Sequence, residues 1–136
     1  MAGRALELAV ATAERRQSKK TGKAYSQDPD IRWRIAEMAL AYDALGPQLA
    51  ALCADVDALA DHGSRWFSLL AGVKHRAVTA AKRIVDDAML VAGGSSYFSS
   101  NELSRLYRDV LAGQFHPSDP ESVHATVATA WLGPLQ

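Results

Sequence analysis

Between Ile31 and Leu59 the chain sets Ile31, Ile35, Met38, Tyr42, Leu45, Leu49, Leu52, Val56 and Leu59 at successive steps of four and three. Steps of that kind put all nine side chains on one face of a helix. A seam this long is buried only by other helices lying at shallow angles to it, as in a bundle. Gly46-Pro47 falls inside the seam. Proline removes one ladder hydrogen bond and crowds the carbonyl four residues back, so a bend is expected there. Because the seam resumes in phase at Leu49, the helix is expected to run on past the bend. Cys53 lies beside the seam and reads as small core filler, since no His or Asn is placed to activate it.

Four further segments show the helical period, and none alternates as a strand does. The first runs from about Gly3 to Gln17 with Leu6, Ala9, Val10 and Ala13 inward. Asp28-Pro29 then reads as a cap followed by a proline in the first turn of the seam helix. After a turn at Asp61-His62-Gly63-Ser64, with Ser64 as the expected cap, a third long helix carries Trp66, Leu69, Leu70, Val73, Ala77, Ala81, Ile84, Val85 and Ala88. Gly93 is placed to close it in the left-handed conformation. Two capping-box patterns, Ser99 with Glu102 and Ser118 with Glu121, announce two shorter helices. The fourth turns Leu103, Leu106, Tyr107, Val110 and Leu111 inward, and the fifth Val123, Val127, Ala130 and Trp131. The expected fold is all-α: one antiparallel up-down bundle over residues 1–136, with four main helices and a short C-terminal one.

Composition narrows the function classes. Lys+Arg number 15 against 15 Asp+Glu among 136 residues, so the surplus of positive charge that phosphate-driven nucleic-acid binding needs is absent. Hydrophobic residues make up 49% of the chain, enough for a core. One cysteine excludes an internal disulfide framework and a multi-thiolate metal site. No apolar run reaches the ~18–20 residues that span a bilayer, and the first residues lack the order of a secretion signal. The chain therefore reads as a cytoplasmic domain that binds neither nucleic acid nor membrane.

Little chemistry is visible residue by residue. His62, His75, His116 and His124 form no His-x-x-x-His or Glu-x-x-His pair, so no metal site is expected. Asp86-Asp87 reads as a solvated helix face, because adjacent helical residues point about 100° apart. Lys19, Lys20 and Lys23 read as a solvated loop, with a nucleotide phosphate as the functional alternative.

The stretch from Gly93 to Val110, a double glycine, a short aromatic-bearing loop and a helix ending in Arg108-Asp109, resembles the C-terminal helical domain of the acyl-CoA dehydrogenase superfamily of flavoproteins. Ala11 to Gln17 looks like that family's helix ending in an arginine before a basic loop. Ile35-Ala36-Glu37-Met38 and Val73-Lys74 look like the starts of its next two helices. The resemblance covers essentially the whole chain, in order.

It implies a complete subunit of three parts, an N-terminal helical domain, a middle β-domain and this bundle. The first two are absent from this sequence and would be supplied in cis or in trans. FAD would lie in a cleft between domains and reach a neighbouring subunit, with bundles packing as homodimers or homotetramers. On this resemblance Arg15 takes the place of the arginine that meets the flavin pyrophosphate, and Gly93 and Gly94 the place where backbone approaches the cofactor. Arg108-Asp109 is expected to be a structural pair first. Exposed Trp33, Trp66, Tyr97 and Phe98 are expected to support self-association, and the isolated chain is expected to show no turnover.

The sequence also departs from the dehydrogenase pattern. Ser18-Lys19 replaces the usual Phe-Gly, Leu90 replaces a glutamine, and Pro117 stands where many dehydrogenases carry a glutamate base. Proline cannot accept a proton. His116, seven residues after Asp109, is similar in placement to a histidine of the two-component flavin monooxygenases in the same superfamily. There it would orient or deprotonate a phenol-like substrate. Two functional readings stay open, a dehydrogenase acting on acyl-CoA and a monooxygenase acting on an aromatic substrate, beside a third in which the bundle is a non-catalytic interaction module.

Overall fold

A computed structural model describes residues 1–136 and contains six α-helices: α1 (Ala2–Arg15), α2 (Pro29–Asp43), α3 (Leu45–Asp57), α4 (Trp66–Ala92), α5 (Glu102–Phe115) and α6 (Pro120–Leu132). Single turns of 3₁₀ helix cover Tyr25–Gln27, Gly63–Arg65 and Gly93–Tyr97. There is no named strand, only an isolated antiparallel bridge between Gln17 and Ala24. The bundle is organised around α4, which packs against α1, α2, α3, α5 and α6.

The seam helix is bent where proline predicts. Ala44 separates α2 from α3 while keeping helical angles of φ −69° and ψ −19°. Pro47 has no N–H to give to Asp43, so the ladder breaks one turn upstream of it. Asp28 caps α2 as expected, its Oδ1 accepting from the N–H groups of Asp30 at 2.9 Å and Ile31 at 3.3 Å.

Three other expected caps shift. Ser64 lies inside a 3₁₀ turn, and α4 starts at Trp66 without a side-chain cap. Asn101, not Ser99, caps α5: its Oδ1 accepts from the Leu103 N–H at 2.9 Å while its Nδ2 donates to the Ser95 carbonyl at 3.1 Å. Asp119, not Ser118, caps α6 by accepting from the Ser122 N–H at 2.8 Å, directly before Pro120 at the first helical position.

Displaced from its capping box, Glu102 works across the bundle. Arg4 donates to it through Nε and a terminal nitrogen, both at 3.0 Å, tying the start of α1 to the start of α5. These hydrogen bonds hold the Glu102 carboxyl below its ordinary value of 4.5. A group depressed in the folded state stabilises above its unfolded pKa and loses that stabilisation as pH falls through the folded one. The melting-temperature advantage of the wild type over Glu102→Gln is therefore expected at about pH 7 and to shrink at about pH 3. Equal differences at both pH values would show that the fork contributes nothing.

Packing separates residues that periodicity treats alike. On α1 the fully buried stripe is Ala5, Ala9 and Ala13, with Leu6 and Val10 only half-buried. Small residues at steps of four let α1 lie close on α4. The core continues through Met38, Ile84, Val85, Ala88, Val91, Leu103, Leu106 and Val110. These residues lie on the second half of α4 and on the parts of α1, α2 and α5 that cover it.

The α3 part of the seam has no such cover, whereas α6 packs on the first half of α4, where Ser68 and Gly72 are buried. Leu49 is 56% exposed and Leu59 89% exposed, and Tyr42, Val56 and Leu70 are exposed as well. Cys53 is free and exposed, which corrects its reading as core filler. It lines an apolar groove of about 470 Å³ between α3 and α4, with Leu49, Leu52, Val56, Leu70, Val73 and Ala77. No helix is long and apolar enough to cross a membrane.

Candidate functional site

α1 ends at Arg15 because Arg16 turns into extended backbone, φ −88° and ψ 145°, and leads to the Gln17–Ala24 bridge. At the far end of the sequence's longest helix, Gly93 closes α4 with φ +69°, a value that favours glycine. The fold sets these two chain ends side by side. Arg15 and Arg16 from α1, Ala92 and Ser95 from the α4 terminus and its turn, and Asn101 and Leu103 from the start of α5 line one cleft of about 580 Å³, with Leu8 and Thr12 on its α1 wall.

Within this cleft the two arginines have different employment. Arg16 donates to the Ala92 carbonyl and stacks over the Tyr25 ring, 5.4 Å from its centroid. It is the residue nearest to an ideal Cβ built at Gly93, at 3.6 Å. Arg15 uses only its Nε, which donates to the Ala11 carbonyl at 3.0 Å and leaves both terminal nitrogens without a partner in the chain. A Cβ built on Gly94 meets nothing within 4 Å, so the backbone there is open to close approach. The group free to donate to an anion here is the Arg15 guanidinium, while the Thr12 and Ser95 hydroxyls give their protons to the carbonyls of Leu8 and Ala92.

His116 does not belong to this cleft. It terminates α5, whose 14 residues rise about 21 Å, and the cleft lies at the opposite end of that helix. Its backbone N–H donates to the Ala112 carbonyl and its ring Nδ1 lies 2.8 Å from the Pro117 carbonyl oxygen. A carbonyl only accepts, so Nδ1 carries the proton and the Nε2 lone pair is free. Asp119, the nearby carboxylate, is committed to the α6 cap, and its hydrogen bonds from Ser122 keep it below its ordinary value.

Several charged residues are differently paired from what their sequence neighbours suggest. Asp109 pairs with Arg105 at 3.0 Å, while Arg108 donates to the Ser104 hydroxyl and faces a groove of about 830 Å³ floored by Met89, Leu90, Tyr97, Phe98 and Tyr107. Asp87 is not on a solvated face, since it pairs with Arg34 at 2.9 Å between α2 and α4, whereas Asp86 stays half-exposed and pairs with Lys82 at 2.7 Å along α4. Trp66 is half-buried edge-on against His62, whereas Trp33, Tyr97 and Phe98 are exposed.

Two associations had no signal in sequence spacing. Arg16 at the glycine turn is one. The other is the approach of His75 on α4 to His124 on α6, ring centroids 5.1 Å apart, which only the packing of those helices produces. No third His, Cys, Asp or Glu joins them in a group that could hold a metal ion.

The fold is an all-helical bundle organised around α4. The sequence profile described as "Acyl-CoA dehydrogenase, C-terminal domain" matches residues 1–118, and the chain belongs to that family. The chain is similar to the amino sugar nitrososynthase DnmZ of Streptomyces peucetius, 31% identical over 96 residues, covering 64% of this chain and 24% of the relative. Among solved structures, a probable acyl-CoA dehydrogenase from Mycobacterium abscessus superposes with TM-score 0.86 at 28% identity, over 94% of this chain and 32% of that one. An FAD complex of PigA shares the fold, with TM-score 0.83 at 22% identity over 93% of this chain and 32% of that one. The chain thus spans about a quarter of the curated relative and about a third of each solved structure.

Proposed function

We propose that this bundle is one wall of an FAD site in a flavin oxidoreductase, completed by the family's N-terminal helical and middle β-domains in the same polypeptide or a partner. The reading is supported by one cleft that Arg15 shares with Ala92 and Ser95, the residues flanking the Gly93-Gly94 turn. Arg15 binds the pyrophosphate through its two free terminal nitrogens, a planar fork suited to phosphate oxygens. Gly93 and Gly94 hold backbone where a side chain would keep the dinucleotide away. FAD, when bound, supplies two-electron redox chemistry.

Between the two reactions the family offers, one observation favours oxygenation of a phenol-like substrate over dehydrogenation of an acyl-CoA. The turn after α5 has proline where a glutamate base would stand, and its one free proton acceptor is Nε2 of His116. His116 then orients the substrate hydroxyl and accepts its proton at Nε2.

The same bundle packs subunits as a dimer or tetramer. The uncovered α3–α4 seam and exposed Trp33 support this role, because contiguous apolar surface of that kind marks interfaces. Sedimentation of the chain as a clean monomer at high concentration would remove this part of the proposal.

The cofactor reading is tested on the chain itself by titrating ¹⁵N-labelled protein with FAD and with ADP. The amide signals of Gly93, Gly94 and Ser95 and the Arg15 Nε–H are expected to shift together. Gly94→Glu is expected to fold normally, because its side chain enters open space, and to abolish these shifts by setting a carboxylate against the phosphates. Shifts that persist in the variant, or none in the wild type, would leave the non-catalytic interaction module as the better description.

A further inference from the structure

Lys74 projects from the first half of α4 onto the C-terminal end of α5. Its ammonium donates to the carbonyls of Gly113 at 2.9 Å, His116 at 2.9 Å and Ser118 at 2.6 Å. Lysine has three N–H bonds to give, and all three are used. The helix end supplies carbonyls with no partner in the helix and a partial negative charge, so a cation is favoured there over a neutral donor.

One carbonyl in this turn is left out of Lys74's reach, that of Pro117, and the ring Nδ1 of His116 takes it at 2.8 Å. The two sets of bonds depend on each other. With the carbonyls of residues 113, 116 and 118 drawn to one ammonium, the backbone of the turn is held so that the Pro117 carbonyl faces the imidazole. Released from Lys74, the turn regains backbone freedom, and the Nδ1 bond has to hold its geometry alone against competition from water. Imidazole tautomers follow the hydrogen bond made by the other ring nitrogen.

We infer that Lys74 is a positioning residue that holds the His116 turn so that the imidazole keeps its proton on Nδ1 and offers Nε2 as the proton acceptor. The inference deepens the reading of His116 given above and rests on it for its catalytic meaning. The positioning itself does not depend on flavin binding at the Arg15 cleft, some 20 Å away along α5.

The test is long-range ¹H–¹⁵N correlation spectroscopy of the histidine ring nitrogens in the full chain, at a pH where the imidazoles are neutral. In the wild type, His116 is expected to show a protonated Nδ1 and an unprotonated Nε2. Lys74→Met is expected to move His116 toward a mixture of both tautomers and to raise amide exchange of residues 116–118 at least tenfold. Lys74→Arg, which keeps a cation and several donors, is expected to retain most of the Nδ1–H signature. A wild-type ring protonated on Nε2, or a folded Lys74→Met with unchanged tautomer and exchange, would overturn the inference. If Lys74→Met does not fold, the wild-type tautomer and Lys74→Gln decide in the same way. The FAD and ADP shifts at Gly93–Ser95 serve as the control: their loss in Lys74→Met would mean global damage, while their absence in the wild type would sink the flavin reading and leave the tautomer result standing.

Discussion

Alanine in place of Arg15 is expected to weaken binding of FAD, and of ADP as its anionic half, about tenfold to a hundredfold, the range set by losing hydrogen bonds of about 1.5–3 kcal/mol to a charged group. The expectation follows from how the guanidinium is employed. Its Nε is tied back to Ala11, which aims the group, and its terminal nitrogens are unspent. Removing it should leave the fold intact, since Arg15 is exposed and makes no ion pair. Arg15→Lys is expected to recover only part of the loss, because an ammonium cannot make two parallel bonds to one phosphate. Isothermal titration with ADP and the thermal melt of each variant together check this. An Arg15→Ala protein that binds as tightly as the wild type would remove the pyrophosphate role and shift attention to Arg16.

Ile84→Ala should produce the largest stability loss among conservative core truncations, about 2–5 kcal/mol. Ile84 is fully buried on α4, in the cluster that also includes residues of α1, α2 and α5. Truncation there leaves a cavity lined by side chains fixed on separate helices, which cannot collapse together to fill it. With an unfolding entropy of about 2.1 cal/mol/K per residue, a loss of about 3 kcal/mol corresponds to a drop of about 10 °C in Tm for a chain of this length. Leu49→Ala is the matched contrast. It also sits in a periodic apolar stripe, yet Leu49 is 56% exposed, and its truncation should change the melting of the monomer by less than about 0.5 kcal/mol while weakening self-association. A Tm loss for Leu49→Ala as large as that for Ile84→Ala would mean that the α3 seam is covered within one chain after all.

That contrast marks the limit of periodicity as a guide to the core. Spacing alone puts Leu49, Val56, Leu59 and Leu70 on the same footing as Met38 and Ile84, because a helix pattern reports which side chains share a face and nothing about what lies opposite. The placement of α1, α2 and α5 over the second half of α4 separates the filled part of the stripe from the exposed α3 part. Capping departs from the local pattern for a related reason. A Ser-x-x-Glu pattern is satisfied by local geometry, but Asn101 gains a second bond to Ser95 and Glu102 gains Arg4 from 98 residues away. Those gains are not available to a local rule.

Local signals were enough for the order, number and direction of the long helices, for the bend before Pro47, for the Asp28 cap and for the stop at Gly93, because each depends on residues within one or two turns of each other. The family pattern likewise runs along the chain and needs no contacts to be seen. Which groups meet is a different kind of fact. That Arg15 shares a cleft with Ala92 and Ser95 on either side of the glycine pair, that Arg16 rather than Arg15 braces that turn, and that Lys74 gathers the carbonyls beneath His116 were decided by helix packing, since side-chain proximity across a bundle depends on axial offset and rotation that no single helix encodes.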